Sequence, residues 1–92
     1  MIYATKIHMN SGYQSSNILT DIDTIYLEGN GTKGWFKKAV LHDHLKTNPH
    51  TIKVNISPYP YLIPALSTRQ EKYVRSESND SEHDNLLKLP RV

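Results

Sequence analysis

A chain of 92 residues with no Cys, a net charge of +2 and 37% hydrophobic residues has room for one small domain, and for neither a disulfide framework nor a thiolate metal site. No run approaches the ~20 apolar residues of a membrane span, and no charged start leads into an apolar signal segment, so a cytoplasmic home away from membranes is expected. The 11 Lys and Arg interleave with 9 Asp and Glu, without a basic arm or acidic tail, which argues against a strongly basic nucleic-acid binder.

Residues 2–9 alternate as a strand, with Tyr3, Ile7 and Met9 on one face and Lys6 and His8 on the other. A polar loop follows, with Asn10-Ser11-Gly12 and Ser15-Ser16-Asn17. Residues 18–27 read as a second strand with Ile18, Ile22 and Tyr26 on a shared face. Ile25 and Leu27 load the opposite side, so a bulge or cover on both sides is expected there. Gly29-Asn30-Gly31 breaks that strand, and Thr32 is a candidate N-cap for a helix from about Trp35 to Lys46. On that helix Phe36, Val40, Leu41, His44 and Leu45 form the apolar side, and Lys38, His42 and Lys46 lie away from it. Asn48-Pro49 stops the helix, because the residue before proline avoids helical angles.

Residues 51–57 form a strand with Ile52, Val54 and Ile56 inward. The prolines at 58, 60 and 64 restrict the next segment to an extended edge or a rigid crossing. Residues 65–67 and 72–76 read as hairpin arms around Thr68-Arg69-Gln70. Asn79-Asp80-Ser81 is a turn, Asp84-Asn85 is a cap, and Asn85 to Leu89 is one helical turn ended by Pro90. The expected fold is α+β in a single domain over residues 1–92. It has a mostly antiparallel sheet of four to five strands, one helix on a face and a C-terminal tail closing the core.

The pattern Lys72-Tyr73-Val74-Arg75-Ser76-Glu77, a polar turn, then Asp84-Asn85-Leu86-Leu87 and Leu89-Pro90-Arg91 resembles the ending of the bacterial and phage family catalogued as domain of unknown function 3892. The resemblance covers residues 50–92 closely and residues 10–34 loosely. It implies a short α+β protein with one mid-chain helix, and it implies no activity.

Four groups of residues carry possible chemistry. His42 and His44 flank Asp43, but two residues apart on a helix they diverge by ~200° and cannot share a metal. Zinc needs three or four ligands, so no metal site is expected. Gly29-x-Gly31-x-x-Gly34 spells a dinucleotide fingerprint, but without the acid that fingerprint requires some twenty residues on. Beside it Lys33, Lys37 and Lys38 flank the expected helix start as an anion-binding candidate. Tyr59, Tyr61 and Tyr73 alternate with Arg69, Lys72, Arg75 and Arg91 as a stacking and cationic surface. The alternative is that these tyrosines cover the hairpin and core. Trp35, the only Trp, either packs on a sheet edge or anchors a partner.

No catalytic set and no cofactor is expected. The favoured function is a small non-catalytic binding or regulatory module that holds a protein partner or a small anionic, nucleotide-like ligand, with a homodimer as one form of assembly. Nucleic-acid binding is the alternative, and a small hydrolase using His and carboxylates is the second alternative.

Overall fold

The computed structural model describes residues 1–77 and 84–92. The turn expected at Asn79-Asp80-Ser81 lies outside the described residues. Among the described residues, six strands and one helix follow one another as β1 (Ile2–Met9), β2 (Ile22–Gly29), β3 (Thr32–Lys37), α1 (Lys38–Thr47), β4 (Ile52–Val54), β5 (Leu62–Leu66) and β6 (Lys72–Ser76). Single 3-10 turns precede β2 at Leu19–Asp21 and follow β6 at Asn85–Lys88.

The larger sheet has the order β3-β2-β1-β4, and β5 and β6 form a separate antiparallel pair. The β1–β2 and β2–β3 ladders are antiparallel, whereas β4 runs parallel to β1. The fold is therefore α+β with a mixed four-stranded sheet. Parallel strands need a crossover, and α1 supplies it by carrying the chain from the β3 edge to the β4 edge.

The sequence placed a helix start where the structure has β3. Asn30 and Gly31 both take positive φ, 49° and 79°, and join Gly29 to its partner Thr32. A two-residue Asn-Gly loop of this hand matches the twist of a hairpin. Thr32 is therefore a strand residue, not a cap. Trp35 lies mid-strand opposite Tyr26, and α1 begins only at Lys38. Gly29 itself sits at φ 130°, and a Cβ there would run into the Met1 carbonyl oxygen.

Two bulges set which side chains face inward. Ala4 pairs with Leu27 and Lys6 with Tyr26, which leaves Thr5 without a partner. The alternation of β1 reverses across it, so Ala4, Ile7 and Met9 are all buried and Tyr3 turns outward from the expected core face. On β2 the extra residue is Asp23, between Ile22 and Thr24. Ile22, Ile25 and Leu27 thus share the buried side, Tyr26 does not, and Ile18 is 60% exposed.

Helix α1 buries Leu41, His42 and Leu45. Val40 is 56% exposed and His44 is exposed, whereas the Lys38 side chain is largely covered. This rotates the buried stripe away from the one expected from the sequence. The cause is that α1 packs against β5 and β6 as well as the sheet, and the hairpin covers the helix side that carries His42. Its ring donates from Nδ1 to the Tyr73 carbonyl oxygen at 3.0 Å, which meets the hydrogen-bonding need of a buried polar group. The hairpin begins earlier than expected, at Leu62, and includes Pro64 opposite Val74. Proline is tolerated there because β5 belongs to a two-stranded pair.

The C-terminal tail closes the core. Asp84 accepts hydrogen bonds from Ser76 N at 3.0 Å, Ser76 Oγ at 2.6 Å and Leu86 N at 2.9 Å. That clamp holds the 3-10 turn whose Leu86, with Leu89 beyond it, is buried in the same cluster as Ile7, Ile25, Leu45 and Val74. Beyond the turn, Ile7 N donates to Pro90 O at 2.9 Å and Val92 N to Ile7 O at 3.0 Å. The tail thereby takes over the edge of β1 where β4 leaves it at Ala4. An exposed edge is an invitation to association, and two short segments cover this one in succession.

Candidate functional site

Helix, hairpin and tail all contribute to one buried cluster with the inward residues of the sheet. The residues of opposite parity are displayed on the other side. Register places Lys6, Tyr26 and Trp35 side by side across β1, β2 and β3. The Lys6 ammonium lies 4.7 Å from the Tyr26 ring centroid. Tyr26 and Trp35 meet edge to face at 5.2 Å, and His8 approaches Trp35 at 6.3 Å. Trp35 is 41% exposed, and with His8, Thr24 and Val92 it lines a shallow recess of about 350 Å³. His8 Nδ1 donates to a Val92 backbone oxygen at 2.5 Å, so the tail fixes the ring that bounds this recess.

A second ring-and-cation unit lies across β4. Lys53 bridges to Tyr61 and sets its ammonium 5.1 Å from that ring, while His50 packs on the same ring at 4.9 Å. Because Ile52 and Val54 point into the core, Lys53 points outward beside its partner Tyr3, on the face that carries Lys6, Tyr26 and Trp35. Lys33 and Lys37 are the outward, exposed residues of β3 on either side of Trp35. Lys37 is paired with Asp23 at 2.9 Å. Among the described residues Lys6, Lys33 and Lys53 make no ion pair. Glu28, between Tyr3 and Lys33, is a second acid on this face beside Asp23.

The residues singled out from sequence are distributed rather than gathered. Lys33 is on β3, Lys37 caps α1, and Lys38 binds Glu71 at 2.5 Å and the Thr20 carbonyl oxygen. Lys37 and Lys38 thus sit at the start of α1, both in ion pairs, whereas Lys33 lies four residues back on β3. Arg69 lies at the exposed hairpin turn, where Ser67 Oγ accepts from its backbone N at 3.2 Å. Lys72 pairs with Asp43 at 2.8 Å, and that ammonium holds the Asp43 carboxyl below the usual carboxylate range. Tyr73 and Arg75 sit opposite Ala65 and Ile63 on the hairpin. Tyr59 is exposed in the loop before β5. Arg91 ties the tail to the first loop, donating to Gln14 O at 2.8 Å and Leu87 O at 3.2 Å. Of the set, Lys33, Lys37, Trp35 and Tyr61 join the outward face of the sheet.

Histidine geometry favours structural roles. His42 is consumed by Tyr73, whereas His44 and His50 line one open recess with Asn30, Asn48 and Thr51. No carboxylate lines that recess, and no group of three metal-ligating side chains occurs among the described residues. His83 lies outside the described residues.

Sequence reading missed Lys6, His8, Tyr26 and Lys53 as a set. Lys6, His8 and Lys53 had outward parity, but alternation grouped Tyr26 with Ile18 and Ile22 because it cannot foresee the bulge at Asp23, and parity cannot say which strands are neighbours. Comparison with known proteins returned no match: no family model, no curated protein and no solved structure matches the chain.

Proposed function

We propose that this chain is a non-catalytic binding module whose working surface is the outward face of the four-stranded sheet, and whose ligand is nucleotide-like. The observation that carries this reading is the Lys6–Tyr26–Trp35 row, an edge-to-face pair of rings with a cation against Tyr26, on a rigid support. A purine or pyrimidine offers a planar face to Trp35 and Tyr26, and its phosphate offers negative charge to Lys6 and Lys33. Rings held by neighbouring strands lose little freedom on binding, which favours affinity. Membership of the domain of unknown function 3892 family is part of the proposal, and it rests on the residue pattern of 72–91.

Titration of the intact chain with adenosine and thymidine phosphates, read by the fluorescence of Trp35, tests the proposal. The expected result is saturable quenching that Lys6→Gln weakens and Tyr26→Ala abolishes, with a melting temperature lowered by no more than about 4–8 °C. Quenching unaffected by either substitution would remove the ligand from this face.

A second reading has one observation in its favour. Strand β3 is an edge of the sheet and carries the exposed Trp35, so it offers backbone groups and an aromatic anchor to a protein partner, including a second copy of the chain. Native mass spectrometry distinguishes this case, because a dimer lost on Trp35→Ala would point to the edge and not the face.

A further inference from the structure

The outward face holds two ring-and-cation units, and a mononucleotide needs only one. The first unit is Trp35 and Tyr26 with Lys6; the second is Tyr61 with Lys53. Building on the stacking face argued above, we infer that the natural ligand is a single strand of nucleic acid that crosses the sheet from β3 to β4 and stacks a base on each unit.

Three features of the face favour a strand over other anionic ligands. Trp35 and Tyr61 are separated by the widths of β2, β1 and β4, which at ~4.8 Å per inter-strand step amounts to roughly 19 Å. That length accommodates about four to six nucleotides at a stacked rise of ~3.4 Å, within the range of site sizes known for small β-domains that hold single strands. Lys6 and Lys53 each lie against a tyrosine ring, so the cations are placed where a backbone passing over those rings would carry its phosphates. Paired bases in a duplex keep their faces stacked on each other and cannot lie flat on these rings.

Charge supports the same occupant. The Asp43–Lys72 and Glu71–Lys38 pairs on the helix and hairpin cancel, so this one face holds a charge balance as positive as the whole chain's +2. The sheet face carries Lys6, Lys33, Lys37 and Lys53 against Asp23 and Glu28. Such a face attracts a polyanion without the strongly basic composition expected of a duplex-binding protein.

The test uses the intact protein, with Trp35 as the optical probe. The probes are a thymidine homo-oligomer of about twelve nucleotides, thymidine monophosphate, and a duplex of the same length. The oligomer is expected to bind at least roughly tenfold more tightly than the monophosphate. With Lys6, Lys33 and Lys53 meeting phosphates, its log affinity should fall with log salt at a slope of about −2. Tyr61→Ala and, separately, Lys53→Gln should weaken the oligomer and leave the monophosphate unchanged. Lys53→Gln leaves the core side chains untouched, so it decides the matter if Tyr61→Ala melts early. Equal affinities for oligomer and monophosphate, a duplex bound as tightly as the single strand, or indifference to Lys53→Gln would overturn the single-strand inference while leaving a one-site nucleotide module standing. Silence of Trp35 towards all three probes would overturn both.

Discussion

Ile25 and Tyr26 are neighbours on β2, and their side chains leave the sheet in opposite directions. Ile25 is fully buried, in a cluster that also holds residues from β1, α1, β6 and the tail. Tyr26 meets Lys6 on one side and Trp35 on the other, partly in solvent. The inner face draws on every element of the described residues, whereas the outer face is a display built from four strands and the segment that carries Tyr61. Stability should therefore be concentrated on one side of a single sheet and binding on the other, so substitutions one residue apart should separate the two properties.

The largest expected effect tests how the inner face is sealed. Ending the chain at Glu77 removes Leu86 and Leu89 from the core, and each large-to-small loss of this kind costs about 2–5 kcal/mol. Against a total of roughly 5–15 kcal/mol for a domain, the shortened chain should be largely unfolded by circular dichroism. Retention of the full-length melting temperature would show that the tail is an ornament. Ile25→Ala should cost about 2–5 kcal/mol in denaturant unfolding, while Tyr26→Ala should cost about 1 kcal/mol, the scale of an aromatic pair. Similar costs at the two positions would erase the contrast between the faces.

Smaller effects locate the devices that hold the faces apart. Asp84→Ala leaves Ser76 N and Leu86 N without their acceptor, and a loss of about 1–3 kcal/mol should appear as a lowered unfolding midpoint with unchanged slope. Gly29→Ala forces a side chain into φ 130° against Met1, with an expected cost of about 1–3 kcal/mol. At the bottom of the scale lies the Lys72–Asp43 pair, which is exposed and should contribute little. Because the Asp43 carboxyl is held below its usual range, any contribution is present above the unfolded value and fades as pH falls through the folded one. Melting curves of wild type and Lys72→Ala should therefore differ slightly near neutrality and converge in acid.

Much of the fold was legible in residue order. Strands at 2–9 and 72–76, a strand expected over 51–57 and found at 52–54, a hairpin around Thr68-Arg69-Gln70 whose first arm lies at 62–66 and not 65–67, and the capped turn at Asp84 follow from alternation, turn residues and capping chemistry. The error at Gly29-Asn30-Gly31 came from weighing the glycines as a helix boundary when Asn30-Gly31 carried the stronger hairpin signal. The displaced stripe of α1 had a different origin. Periodicity ranks faces by apolarity, and His42 was buried through its bond to the Tyr73 carbonyl oxygen, a partner thirty-one residues away that no local pattern reveals.

Residue order alone was enough for the small α+β class, the inward Ile52 and Val54 of β4, and the closing role of Leu86 and Leu89. It sufficed because those properties depend on neighbours within a few residues. Tertiary structure alone decided that β4 lies parallel beside β1, that the tail succeeds it along the same edge, and that Lys6, Tyr26 and Trp35 form one row with Lys53 and Tyr61 beyond. Register between strands is set by bulges at Thr5 and Asp23 and by packing beneath the sheet. These are cooperative properties of the whole chain, and the candidate site exists only once they are settled.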